Sequence, residues 1–291
     1  QVVAEEESLW PGMIIVGADG PVATAGAFGV IGFSISCDQF VHTLTTGRCT
    51  LNVPDQVIIH LSGERAGTVL ARDIAMHLAA HYREKIEGRA VLLSGETIDL
   101  LSISEKMSIC NYLPEAGAVT ALALPQGENE RVDIFIDTAD IRPMVLLPGN
   151  DPKYASPEKT GSPRITAAVA GGCSAGRLDD MRLIADVLAK QEVHPDVTFI
   201  ITPASKNIME SMDKLKISSI LRKAGAVVMP PGCGPCPGKH FGVLCDSDVA
   251  ITTTIRNSPG RIGAEDAKIY LASPLTVAWS AVRGKITEPV L

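Results

Sequence analysis

The apolar positions of this chain fall into two alternating patterns, clearest in its second half. Val132–Ile136, Ile165–Ala170, Val197–Ile201, Ala226–Met229 and Val249–Thr253 are short apolar runs bounded by turn residues, as buried strands are. Between and after them, Leu178–Lys190, Lys206–Ala224 and Pro274–Val282 carry apolar residues at helical spacing, the last with Ser273 as N-cap and Pro274 in its first turn. Strands alternating with helices predict an α/β fold with a doubly wound parallel sheet. In the first half, Met13–Val16, Gln56–Leu61 and Ala90–Leu93 read as strands. Ala71–Glu84 reads as a helix with Ile74, Leu78 and Tyr82 on one side. Gly17–Pro21 reads as a turn, Gly26–Ser36 as a helix or tight turn-and-helix, and Met107–Ala118 as a loop leading into a helix. Breaks at Asn52-Val53-Pro54 and across Pro125–Glu130 divide the chain into 1–52, 53–128 and 129–291.

The loops Gly171–Gly176, Thr202–Ser205, Pro231–Cys236 and Thr254–Arg261 all follow predicted strands. In an open parallel sheet such loops gather at the carboxyl ends of the strands, where ligands bind. Cys173, Cys233, Cys236, Arg256 and Arg261 are thereby predicted to converge although they are far apart in sequence.

Composition narrows the chemistry. Aromatic residues make up only 4% of 291 residues, so the core must be aliphatic, as in buried parallel sheets. A net charge of −7, without a basic run, argues against nucleic acid or an anionic membrane as partner. No apolar run approaches the roughly eighteen residues of a membrane span. Seven cysteines, an odd number, in a long chain without a recognisable signal peptide point to a reducing, cytoplasmic setting with free or metal-bound thiols. The first residue is Gln1 rather than Met, as if the chain began inside a larger protein or had been trimmed.

Three of the cysteines stand in Gly-rich loops: Gly171-Gly172-Cys173-Ser174-Ala175-Gly176 and Pro231-Gly232-Cys233-Gly234-Pro235-Cys236. Glycine lets backbone wrap closely round a ligand. Three thiolates are one short of the four that fully ligate an iron–sulfur cluster, which would leave one iron open as a Lewis acid. Two other readings stay open on spacing alone: a zinc site recruiting Cys245 or His240, and buried inert thiols. Cys37, Cys49, Cys110 and Cys245 read as ordinary buried thiols. Asp179 and Asp180 complement the positive end of the helix that follows Cys173, whose dipole would favour the thiolate. Arg256 and Arg261 have the planar forks that bind carboxylates bidentately. Asp73, His77 and His81 lie on one helical stripe but lack the glutamate of a zinc-hydrolase helix, so they are expected to form a solvated polar face. Asn111 and Glu115, flanking Tyr112-Leu113-Pro114, read by themselves as a turn or helix start.

Taken together these segments resemble the aconitase superfamily, specifically the large subunits of 3-isopropylmalate dehydratase and homoaconitase. Gly171–Asp180 is similar to that family's first cluster motif, and Pro231–Cys236 matches its second without change. Arg256–Arg261 and Tyr270–Pro274 follow in the family's order, and Cys110-Asn111 through Glu115–Ala118 lies upstream as the family has it. Leu9–Val16, Gly26–Gly29 and Thr46–Arg48 also fit, so the likeness covers almost the whole chain.

The resemblance implies aconitase-like α/β/α domains with doubly wound sheets. It implies a [4Fe–4S] cluster on Cys173, Cys233 and Cys236, with Asn111, Arg256 and Arg261 binding substrate and Asp19 and Glu115 as catalytic carboxylates. The implied reaction is removal and re-addition of water on a hydroxylated di- or tricarboxylic acid. The implied partner is a small subunit carrying the swivelling domain and its serine base. The chain also departs from the family. Asp19-Gly20-Pro21-Val22 stands for Asp-Ser-His-Thr, so Pro21 replaces a histidine; Ser174-Ala175 stands for Thr-Asn, and Ile255 for Asn. The family's N-terminal Asp-His segment and its swivelling domain have no counterpart in this sequence. The expectation is a large subunit with little activity alone; the alternative is a diverged, catalytically silent cluster- or carboxylate-binding subunit.

Overall fold

Parallel strands covered on both faces bury every residue without alternation, and Thr120–Ala123 and Ala167–Gly171 do so here. The computed structural model describes residues 1–6, 9–125 and 131–291. The chain forms two compact units, Gln1–Ala66 with His77–Ile141 and Gly67–Met76 with Arg142–Leu291. The threefold division remains a proposal; its second boundary, within the polar stretch ending at Glu130, lies outside the described residues. Among the described residues no helix is long and apolar enough to cross a membrane.

In the first unit, β1 (Ile14–Gly17) pairs in parallel with β2 (Ile31–Ser34). A separate sheet is formed by β3 (Gln56–Ser62), β4 (Ala90–Ser94), β5 (Thr120–Ala123) and β6 (Ile134–Asp137), in the order β5-β4-β3-β6, all parallel. The segment expected as a helix or tight turn-and-helix over Gly26–Ser36 is divided. A 3-10 helix spans Gly20–Phe28, ends at Gly29 with φ 70°, and hands over to β2. Gly26 makes this packing possible, because a Cβ there would overlap the carbonyl oxygen of Ala121. The loop expected from Met107 is instead a helix, Ile103–Tyr112, followed by a 3-10 turn at Leu113–Ala116. A capping box starts it: Ser102 Oγ accepts from Glu105 N at 3.2 Å, and the Glu105 carboxylate accepts from Ser102 N at 2.9 Å. A capping box of Ser36 with Gln39 likewise starts an unforeseen helix, Cys37–Thr46, none of whose residues is buried. The expectation of four buried thiols is therefore corrected. Cys110 is buried, but Cys37 and Cys245 are exposed and Cys49 is half-buried.

The second unit contains β7 (Val145–Leu146), β8 (Tyr154–Ala155), β9 (Ala167–Gly171), β10 (Thr198–Thr202), β11 (Val227–Val228), β12 (Val249–Thr252) and β13 (Lys268–Ala272). Their order is β11-β10-β9-β12-β13-β7-β8, with β7 and β8 antiparallel at one edge. The chain winds from β9 outward through β10 and β11, then returns to β12 on the other side of β9. The crevice between β9 and β12 is thus the topological switch point of the sheet. The helix expected over Lys206–Ala224 is two, Lys206–Lys214 and Ile217–Lys223, because Lys216 takes a left-handed φ of 59°.

Asp73 is not part of a solvated face. It is fully buried in the helix Ala71–His81. Its carboxylate turns back to the helix start, accepting from Leu70 N at 2.9 Å and from Met144 N at 3.0 Å. Burial pushes its pKa up to about 6, against the pull of those amides, Ser273 and Arg72. Helical spacing shows which residues share a stripe but not whether water reaches it. On the same helix His77 is half-buried and only His81 is exposed; burial, then the neighbouring His81, lowers the His77 pKa to about 4 while Asp140 opposes the shift. Asp73→Asn is expected to destabilise by about 1–3 kcal/mol, because an amide can accept only one of the two N–H groups and turns its own donor on the other. The folded-state pKa of Asp73 lies above its unfolded value. Its protonation therefore adds stability that is complete below about pH 4 and is lost as pH rises through about 6. Urea denaturation should show the gap between wild type and D73N wider at pH 4.5 than at pH 7.

Candidate metal centre

The loop after β9 is shaped by backbone that approaches too closely for side chains. Gly171 has φ 121°, and a Cβ there would overlap the carbonyl oxygen of Thr202 in the neighbouring strand. Its N–H donates to Thr253 Oγ1 at 3.0 Å across the switch point, and the buried Ser174 Oγ donates to Thr253 O at 2.7 Å. Cys173 is half-buried in the turn Gly172–Ala175. Arg177, 2% exposed, braces this turn from behind, donating to Cys173 O at 2.8 Å and Ser174 O at 3.0 Å. Asp180 accepts from Arg177 N at 3.1 Å and stands 3.8 Å from its guanidinium. Burial raises the Asp180 pKa to about 6, with Arg177 opposing. Asp180 thus serves the helix Leu178–Leu188 as expected, but the turn sets Cys173 apart from that helix.

The loop after β11 meets this one at Gly172, where a Cβ would stand 3.7 Å from Cys233 O. Gly232 N donates to Pro203 O at 3.1 Å, and Cys236 N to Cys233 O at 3.3 Å, closing the Cys-x-x-Cys turn. Cys233 is exposed and Cys236 half-buried. The loop after β12 brings Arg261 Nη2 to 4.0 Å from Cys236 Sγ. Burial pushes the Cys236 thiol up, while Arg261 and Arg256 pull it back toward the thiolate. This loop is anchored by Asn257, which donates to Leu147 O at 2.8 Å and Ile269 O at 3.1 Å, and by the buried Arg72, which donates to Thr254 O. Cys173, Cys233, Cys236, Arg256 and Arg261 therefore share the carboxyl edge of one sheet.

Asp19, Asn111 and Glu115 lie in the first unit. Asp19 is the exposed N-cap of the 3-10 helix and accepts from Gly20 N at 2.9 Å. Asn111 is buried and donates to Thr24 Oγ1 of that helix at 2.9 Å. Glu115 is half-buried in the turn that follows.

Among the described residues, no three His, Cys, Asp or Glu side chains surround one point as the ligands of a single ion would. A cluster makes a different demand, since each thiolate meets its own iron and the sulfurs stand apart. Three soft thiols in touching Gly-rich loops meet it in kind and number. Two guanidinium groups beside Cys236 offset thiolate charge. At the same edge, Thr202 Oγ1 and Arg261 Nε are buried without a hydrogen-bond partner among the described residues. The residues present fit such a group. Sequence spacing did not single out Arg177 or Thr202. The Asp180 three places after Arg177, a capping-box spacing, is the signal for the first; for the second, the only signal is its place in the Thr202–Ser205 loop at the carboxyl edge.

The profile of the aconitase family (aconitate hydratase) matches residues 1–130 and 143–284. A probable methanogen homoaconitase large subunit from Methanothermobacter thermautotrophicus is 34% identical over 99% of this chain and 73% of its own length. The 3-isopropylmalate dehydratase large subunit of Pyrococcus horikoshii is 35% identical over 99% of this chain and 76% of its own. The homoaconitase large subunit of Thermus thermophilus is 33% identical over 99% and 74%. Among solved structures, the holo-form of Thermococcus kodakaraensis aconitase X superposes with a TM-score of 0.53 at 12% identity, covering 89% of this chain and 66% of that one, a likeness of fold. With the family profile spanning nearly its full length and relatives a third identical to it, the chain belongs to the aconitase family.

Proposed function

We propose that this chain is the large subunit of a [4Fe–4S]-dependent hydro-lyase acting on a hydroxylated di- or tricarboxylic acid. The supporting observation is the convergence of three cysteine thiols and two arginines at the carboxyl ends of the parallel strands of one sheet, around its switch point. Cys173, Cys233 and Cys236 would hold the cluster, which when bound supplies a Lewis-acidic iron for the departure of hydroxide. Arg256 and Arg261 would bind substrate carboxylates by paired charge-assisted hydrogen bonds. Asn111 would assist in binding, and Glu115 and Asp19 are the carboxylates proposed for proton transfer. The named relatives are large subunits, and we propose a small-subunit partner here as well.

A second reading, a binding subunit without turnover, draws on Pro21. It stands in the first turn of the 3-10 helix, where its imino nitrogen has no proton to exchange. The test is an anaerobic hydratase assay on reconstituted protein, following the absorbance of the unsaturated acid, with and without an added small subunit of the 3-isopropylmalate dehydratase type. Turnover that appears on adding the small subunit supports the first reading. Silence in both favours the second. In either case, Arg256→Lys and Arg261→Lys should each weaken calorimetric binding of an isopropylmalate- or citrate-like acid by about 1–3 kcal/mol, the scale of a charge-assisted bond. Unchanged affinity in both would assign these arginines to structural ion pairs.

A further inference from the structure

Thr202 ends β10, the strand flanked by β9 and β11, whose following loops carry Cys173 and the Cys233/Cys236 pair. It is 2% exposed. Its hydroxyl has no partner among the described residues, whereas the neighbouring hydroxyls at this edge are all engaged. Ser174 donates to Thr253 O, Thr253 Oγ1 accepts from Gly171 N, Thr252 Oγ1 accepts from Thr254 N, and Ser205 Oγ accepts from Ile208 N. The Thr202 hydroxyl is aimed at the Cys-x-x-Cys turn. A Cβ on Gly234 would collide with Oγ1 and stand 3.2 Å from Thr202 Cβ, and Gly234 itself has φ 56°. A buried hydroxyl left unbonded forfeits its hydration without replacement, so its persistence here calls for an acceptor that arrives with a ligand.

We propose that the Thr202 hydroxyl donates a hydrogen bond to the sulfur shell of the cluster held by Cys173, Cys233 and Cys236. The proposal rests on the cluster reading above and adds to it a residue that tunes the group. Donation to an anionic sulfur favours the more negative, reduced state and so raises the reduction potential.

Thr202→Val keeps the shape and removes the hydroxyl; Thr202→Ser keeps the donor. In the metal-free full-length chain, T202V should melt at the same temperature as wild type or higher, since an unbonded hydroxyl is gone. In the anaerobically reconstituted chain, T202V should have a lower cluster reduction potential and lose iron to a chelator about fivefold faster, the scale of one net hydrogen bond. T202S should behave as wild type in both. A T202V protein that is less stable without metal would show that the hydroxyl is bonded within the fold, and would overturn the proposal. So would a T202V protein that loads normally and matches wild type in potential and iron release. Wild type that takes up no iron and sulfide would instead overturn the cluster reading itself, and this proposal with it.

Discussion

Cys173→Ser, Cys233→Ser and Cys236→Ser are each expected to leave a folded protein that retains neither the brown chromophore nor stoichiometric sulfide after anaerobic reconstitution. A serine hydroxyl is a harder ligand with a far higher pKa than a thiol, and a poor substitute on a cluster iron. The fold should survive because none of the three is a core residue: Cys233 is exposed and the other two are half-buried. Cys110 is the opposite case, fully buried in the helix Ile103–Tyr112, and Cys245 is exposed with its N–H donating to Asp248. Cys245→Ala should keep its full iron and sulfide. Circular dichroism separates folding from cluster loss. Retention of iron and sulfide by all three Ser variants would sink the assignment, and loss of the cluster in a folded Cys245→Ala would point back to a four-ligand site.

The parts of this molecule that were legible in its sequence are those governed by local rules. The strands β9, β10 and β12 show as apolar runs because a sheet covered on both faces leaves few positions polar, here the threonines at the ends of β10 and β12. From their alternation with helices the carboxyl-edge cluster of loops followed without reference to any particular side chain. What was hidden depends on partners distant in the chain. Asp73 shares its helical stripe with His77 and His81, yet it is buried because Met144, about seventy positions on, offers it an amide. Lys216 gives no local warning of its left-handed turn, so helical spacing predicts one helix where two stand. The cysteines outside the cluster motifs show the same limit: an apolar neighbourhood in sequence predicted burial, and only Cys110 is buried. Ser36 and Ser102 do carry a local signal of the helices they start, the capping-box spacing to Gln39 and Glu105.

Gly171→Ala should be among the most damaging single changes in the protein. Gly171 has φ 121° and ψ −149°, backbone that is open essentially to glycine, and holding another residue there costs about 1–3 kcal/mol. The added Cβ would also overlap Thr202 O and lie 2.7 Å from Thr202 C and 2.9 Å from Thr202 N. These are backbone atoms of a paired strand rather than the movable end of a side chain, so β9 and β10 must separate where their residues Gly171 and Thr202 are in register. Overpacking of this kind adds about 1–3 kcal/mol more. The sum, about 2–6 kcal/mol, is a large share of a typical domain's stability of roughly 5–15 kcal/mol. The same displacement would carry the Cys173 turn away from Cys233, so cluster uptake should fail along with stability. Gly149→Ala is the control. Its φ is 132° and nothing lies within 4 Å of the added Cβ, so only the conformational strain applies. Denaturation midpoints and iron content after reconstitution would decide the matter. A G171A protein as stable as G149A, with wild-type iron, would mean that the two strands can part at this point and that the close approach does not set the geometry of the cysteine loops.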